Sequence, residues 1–63
     1  MNIGENVKKF RTDKGMLQTE LAEKIGVTQP MICMIERGTK APSMQLGKQI
    51  ADALDVSVDK LFL

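Results

Sequence analysis

Residues 18–37 read Gln18-Thr19-Glu20-Leu21-Ala22-Glu23-Lys24-Ile25-Gly26-Val27-Thr28-Gln29-Pro30-Met31-Ile32-Cys33-Met34-Ile35-Glu36-Arg37. Leu21 and Ile25 fall four apart on one helical face with Ala22 beside them, and Gly26 closes that helix in the manner of a left-handed stop. Thr28 is a good N-cap for the next segment. Pro30 sits in its first turn, where the missing N–H is harmless, and Val27 can staple against Ile32. Ile32 and Ile35 carry that second helix inward as far as Arg37. Two helices that cross steeply at close range need a small side chain at the crossing, supplied by Ala22, and a glycine where the chain reverses, supplied by Gly26. The stretch is therefore a unit of two helices and one tight turn.

Working outward, the punctuation cuts the rest of the chain into helices as well. On the amino-terminal side Ile3, Val7 and Phe10 recur at i, i+4 and i+7, and the run ends at Lys14 and Gly15. On the other side Gly38 stops the third helix and Pro42-Ser43 opens a fourth, capped by Ser43, with Leu46, Ile50, Ala53 and Leu54 inward until it fails near Asp55-Val56. Ser57 caps a last turn or two, with Val56 and Leu61 as a staple pair and Asp59 at the positive helix end. No alternating apolar and polar segment is long enough for a strand. The expected fold is all-α: five short helices in one domain covering residues 1–63.

Sixty-three residues leave room for one core only, because so short a chain buries about 60% of its unfolded surface. Cys33 is the single cysteine and there is no histidine, so neither an internal disulfide nor a zinc ligand set exists. Packing must hold the domain, and no metal or cofactor is expected. The longest apolar run, Met31 to Ile35, is far short of the roughly 20 residues that span a bilayer. With no export signal at its start, the chain is expected in a reducing cytoplasm. Nine basic against eight acidic residues give a net charge of +1, which identifies no partner by itself. Two aromatics, both Phe, offer little for stacking on single-stranded bases. No catalytic set is present either: Cys33 lacks a histidine base and there is no glycine-rich phosphate loop, so an enzyme is not expected.

The pattern Gln18…Ala22…Gly26…Ile32…Ile35-Glu36, followed by Arg37-Gly38-Thr39-Lys40-Ala41-Pro42-Ser43 and Ile50-Ala51-Asp52-Ala53-Leu54-Asp55-Val56, resembles the helix-turn-helix DNA-binding domain of the phage repressor and Cro family, the XRE type. The resemblance covers essentially the whole chain. It implies a five-helix, repressor-like globule whose third helix enters the major groove while the second crosses the phosphate backbone. With Met31, Ile32 and Ile35 inward, the opposite side of that third helix presents Gln29, Pro30, Cys33, Met34 and Arg37. Gln29 offers a donor and an acceptor together to an adenine edge, and Met34 and Cys33 could read a thymine methyl by apolar contact. Pro30 has no donor, so direct readout is thin and DNA shape matters more. For the phosphates, the resemblance implies Gln18, Thr28, Arg37, Thr39 and Lys40. Gln18 could also buttress Gln29. The resemblance further implies a partly buried ion pair between Arg11 and Glu36, tying the first helix to the end of the third.

Three residues depart from the family pattern. Leu17 stands where a Ser or Thr usually caps the second helix, a loss of about 1 kcal/mol. Gly47 replaces a core Leu, inviting a void or a closer helix approach. Asp55 takes the place of a helix-ending Gly, which it can do because Asp tolerates the left-handed conformation.

The function expected from this reading is sequence-specific binding of double-stranded DNA by a transcriptional regulator of bacterial or phage origin, a repressor that occludes a promoter. So few base pairs per copy rarely suffice, which points to a homodimer on half-sites about 34 Å apart. Leu61, Phe62 and Leu63 are the best interface residues, although they fit a core or the cut edge of a longer chain equally well. A competing reading keeps the scaffold as a protein-protein interaction module that uses the Met34/Cys33 surface, since methionine-rich surfaces adapt to partners. A redox switch at Cys33 is a third.

Overall fold

In the computed structural model, which describes residues 2–63, α1 spans Ile3–Asp13, α2 Gln18–Ile25, α3 Gln29–Arg37, α4 Met44–Leu54 and α5 Val58–Phe62. There is no strand among the described residues. Each boundary has a local cause. Asn2 caps α1 by accepting from the Glu5 N–H at 2.9 Å, Thr28 caps α3 by accepting from Met31, and Ser43 caps α4 by accepting from Leu46 at 3.1 Å. The turn between α2 and α3 runs through Gly26 at φ 75° and ψ 31°, left-handed backbone that costs a side chain about 1–2 kcal/mol. Asp55 ends α4 in the same conformation, at φ 59° and ψ 42°, as its short polar side chain allows.

One cap differs from expectation, and the missing cap expected at Leu17 is partly replaced. Ser57 occupies the N-cap position of α5, yet its hydroxyl makes no capping bond. Leu17 has no oxygen to offer α2; instead Glu20 reaches back and accepts from the Leu17 N–H at 2.8 Å, which is half of a capping box. The contrast between the two serines is measurable. Ser43→Ala is expected to lower the unfolding free energy by about 1 kcal/mol and Ser57→Ala by less than about 0.3 kcal/mol, both read from urea midpoints at unchanged slope. Equal losses would mean that Ser57 caps its helix in solution.

Val7, Leu21, Ile32, Ile35, Ile50 and Leu61 are fully buried, one or two from every helix, so a single core joins all five. Ala22 on α2 is buried, as a small residue meant for a close helix crossing should be. Gly47 leaves no void: a Cβ there would lie 2.6 Å from the Phe62 ring, so α5 lays its aromatic side chain directly on the α4 backbone. This corrects the expectation for the end of the chain. Leu61 is 0% exposed and belongs to the core, with Val58 one turn earlier on α5 half-buried against the same core. It is not an interface residue. The Phe62 ring is partly used against Gly47, while Leu63 is 89% exposed. Asn6 secures this end of the molecule. Its buried amide donates to the Leu61 carbonyl at 2.8 Å and the Leu63 carbonyl at 3.2 Å, satisfying acceptors that the end of α5 leaves open.

Candidate nucleic-acid interface

The polar groups at the junction of α1, α2 and α3 form one connected chain. Arg11 on α1 grips Glu36 on α3 in a two-pronged arrangement, with Nε donating to Oε2 at 2.6 Å and Nη2 to Oε1 at 3.0 Å. Its remaining nitrogen, Nη1, donates to the Met16 carbonyl at 2.7 Å. The two side chains are only 10% and 4% exposed, so this is a largely buried pair with matched geometry. The hydrogen bonds that Arg11 donates to Glu36 hold its pKa above its already high ordinary value, against the opposing effect of burial, and the carboxylate charge adds to the rise.

Glu36 Oε1 also accepts from Gln18 Nε2 at 2.9 Å, and Gln18 Oε1 in turn accepts from Gln29 Nε2 at 2.5 Å. Gln29 and Glu36 lie two turns apart on one edge of α3, and Gln18, at the start of α2, bridges them. Gln29 is thus held half-buried at the first turn of α3 by a brace that begins at Arg11, with its Oε1 and one N–H left over. No buried side-chain nitrogen or oxygen among the described residues lacks a partner.

The outer face of α3 lies opposite Ile32 and Ile35. Pro30 and Arg37 are exposed, Met34 is 38% exposed, and Cys33 is half-buried. Lys40 is exposed in the loop that follows. Thr28 is exposed, and because its hydroxyl accepts from Met31 N–H its own proton stays free for an anion. Thr39 is arranged otherwise. Its hydroxyl donates to the Met34 carbonyl at 3.2 Å, beside the backbone bond from its own N–H at 3.0 Å, so it closes the end of α3 and has no free proton for a phosphate in this arrangement. The absence of a side-chain cap at Leu17 acquires a use here: the first-turn N–H groups of α2, next to Gln18, remain open to an anion at the positive end of the helix.

Two buried residues of α1 escaped the sequence reading: Asn6, which holds the end of α5, and Gly4, where the start of α1 meets the end of α3 and a Cβ would fall 2.3 Å from the Ile35 carbonyl oxygen. Among the described residues there is no cluster of His, Cys, Asp or Glu able to hold a metal ion, and no helix long and apolar enough to cross a membrane.

Five helices with a braced glutamine at the start of the third and open cations at its end define a helix-turn-helix domain built to present α3. The chain belongs to the helix-turn-helix family HTH_3, which matches residues 7–61. The family's members are transcriptional regulators rather than enzymes. Among its relatives is the HTH-type transcriptional regulator SinR of Bacillus subtilis, 42% identical over 60 residues that make up 94% of this chain and 54% of SinR. The chain therefore spans about half the length of that relative. An HTH-type transcriptional regulator of Archaeoglobus fulgidus is 37% identical over 57 residues, 90% of this chain and 81% of its own. In three dimensions the chain is similar to the clp gene regulator ClgR of Corynebacterium glutamicum, with a TM-score of 0.91 at 36% identity over 94% of this chain and 63% of that one. It is also similar to SinR, described as the master regulator for biofilm formation and solved in complex with DNA. That TM-score is 0.87 at 42% identity, covering 94% of this chain and 95% of that one.

Proposed function

We propose that this chain binds double-stranded DNA as a sequence-specific transcriptional regulator in the cytoplasm, a repressor that covers a promoter with two copies on half-sites about 34 Å apart. The observation that carries the proposal is the brace on Gln29: a solvated first-turn glutamine has no need of a partner chain leading back to a buried ion pair. α3 enters the major groove and Gln29 sets a donor and an acceptor against an adenine edge, with Met34 and Cys33 against thymine methyls. The Gln18 side chain, the open first turn of α2 and the Thr28 hydroxyl take one run of phosphates; Arg37 and Lys40 take the next. With Leu61 in the core, a dimer contact would draw on Leu63 and the exposed edge of Phe62. The SinR structure on DNA supports this reading by likeness of fold.

Selection of bound sequences from a random duplex pool, at low and moderate salt, tests it. The expected result is enrichment of a two-fold-related site, loss of its sequence preference in Gln29→Ala, and log affinity falling steeply with log salt. Arg37→Ala and Lys40→Ala should each reduce the magnitude of that salt slope by about one. No enrichment together with salt-insensitive binding would sink the proposal and direct attention to a protein partner at Met34 and Cys33.

A further inference from the structure

We infer that Glu36, although remote from the outer face of α3, decides which base Gln29 reads, because its carboxylate fixes the direction in which both glutamine amides point. This rests on the DNA-binding reading above and adds to it a positioning residue with a stated consequence. A carboxylate only accepts hydrogen bonds, so the Gln18 group facing it must be the NH2, as observed at 2.9 Å. That turns the Gln18 carbonyl toward Gln29, and Gln29 must then answer with its own NH2, as observed at 2.5 Å. One N–H of Gln29 is consumed. What remains for the groove is one N–H and the Oε1, a donor beside an acceptor, which matches the N7 and N6 amino group of adenine.

Reversing the direction changes the base. If the Gln18 amide were flipped, its NH2 would donate to the Gln29 carbonyl, and Gln29 would face the groove with two N–H groups. Two donors match the N7 and O6 of guanine instead. Nothing at Gln29 itself prefers one direction; the preference enters only at Glu36, whose oxygens are held in place by Arg11 at 2.6 and 3.0 Å. The ion pair that joins α1 to α3 is at the same time the origin of the A·T over G·C choice.

The test uses wild type, Glu36→Gln, Gln18→Leu and Gln29→Ala. The site selected by wild type is made as duplexes differing only at the base pair whose preference Gln29→Ala abolishes, and their affinities are compared by fluorescence anisotropy. Wild type is expected to prefer A·T over G·C there by about tenfold or more. In Glu36→Gln the new amide can present either a donor or an acceptor to Gln18, and the preference is expected to fall within about threefold. Gln18→Leu leaves the ion pair whole and cuts the chain, so it gives the same collapse even if loss of the charge at position 36 prevents folding. Losing a phosphate contact at Gln18 lowers all affinities together and leaves the ratio untouched. Side-chain amide NMR signals of Gln29, shifted and exchange-protected in free wild type, should move toward ordinary solvent values in Gln18→Leu. A folded Gln18→Leu protein that keeps the wild-type ratio overturns the inference, as does a Gln29-dependent preference of wild type for G·C; in both cases DNA binding itself stands. Absence of any Gln29-dependent preference in wild type would instead overturn the underlying reading, and the inference with it.

Discussion

Glu36→Ala is expected to lower the unfolding free energy by about 3–5 kcal/mol, because it leaves the Arg11 guanidinium buried with only the Met16 carbonyl as partner. A domain of 63 residues has about 3–9 kcal/mol in total at 0.05–0.15 kcal/mol per residue. The loss therefore takes most of the stability, and the melting temperature should fall by about 12 °C or more. The buried pair need not itself be strongly stabilising for this to hold, since the loss comes from stranding one charge after desolvation. It follows that the double variant Arg11→Met with Glu36→Leu should recover more than half of what the single variant loses. Titration does not imitate the mutation from the Arg11 side. Its pKa lies above the ordinary value, so on that side the contribution is lost only as pH rises past the range in which arginine keeps its proton. Urea denaturation of the single and double variants decides the matter: a loss below about 1 kcal/mol for Glu36→Ala would mark the pair as solvent-screened and merely superficial.

How much of this was visible in the residues follows from where each determinant lies. Helix limits were legible because they depend on neighbours in the chain: Thr28 and Ser43 accept from N–H groups three residues on, and Gly26 meets a backbone requirement of its own position. The inward faces of α3 and α4 followed from helical period for the same reason. Gln18 and Gln29 could be suspected of touching once the two helices were paired. Glu36 could not be seen to continue that contact, because one carboxylate oxygen serves both Arg11 and Gln18 only at the spacing that three packed helices create.

The misses have a common physical form. Asn6 has the composition of a solvated residue, and its role depends on carbonyls 55 and 57 residues away. Leu61, Phe62 and Leu63 are three consecutive apolar residues, with no periodicity to tell the one in the core from the one at the surface. Thr39 is assigned to a phosphate by its place in the loop, and only the structure shows its hydroxyl also serving the end of α3. In Gly47 the absent side chain was noticeable, but the group that uses the space, the Phe62 ring, was not.

Gly4→Ala separates local from nonlocal reasoning most sharply, since the two predict opposite signs. Local propensity favours alanine inside α1 by about 0.5–1 kcal/mol. Packing opposes it: the added Cβ would lie 2.3 Å from the Ile35 carbonyl oxygen and 2.8 Å from that of Glu36. Both are backbone atoms in the last turn of α3, so no rotamer change can make room, and α1 must move away as a body. Overpacking of this kind costs about 1–3 kcal/mol and occasionally more, and with immovable backbone on the other side the upper end applies, so a net loss of about 2–3 kcal/mol is expected. The damage extends beyond the contact. Arg11 and Glu36 sit on the same two helices, and a bond of 2.6 Å between them has little room to lengthen before the pair loosens. Urea denaturation should show the lost stability, and the DNA affinity of the folded fraction should fall with it because Gln29 is braced through Glu36. Gly15→Ala serves as the control: it has open space around it but φ of 70°, so it should lose about 1 kcal/mol from backbone strain and keep its affinity for DNA. If Gly4→Ala instead proves as stable as wild type, the close approach of α1 to α3 is not a fixed feature of the fold, and the brace must hold by adjusting to a wider gap.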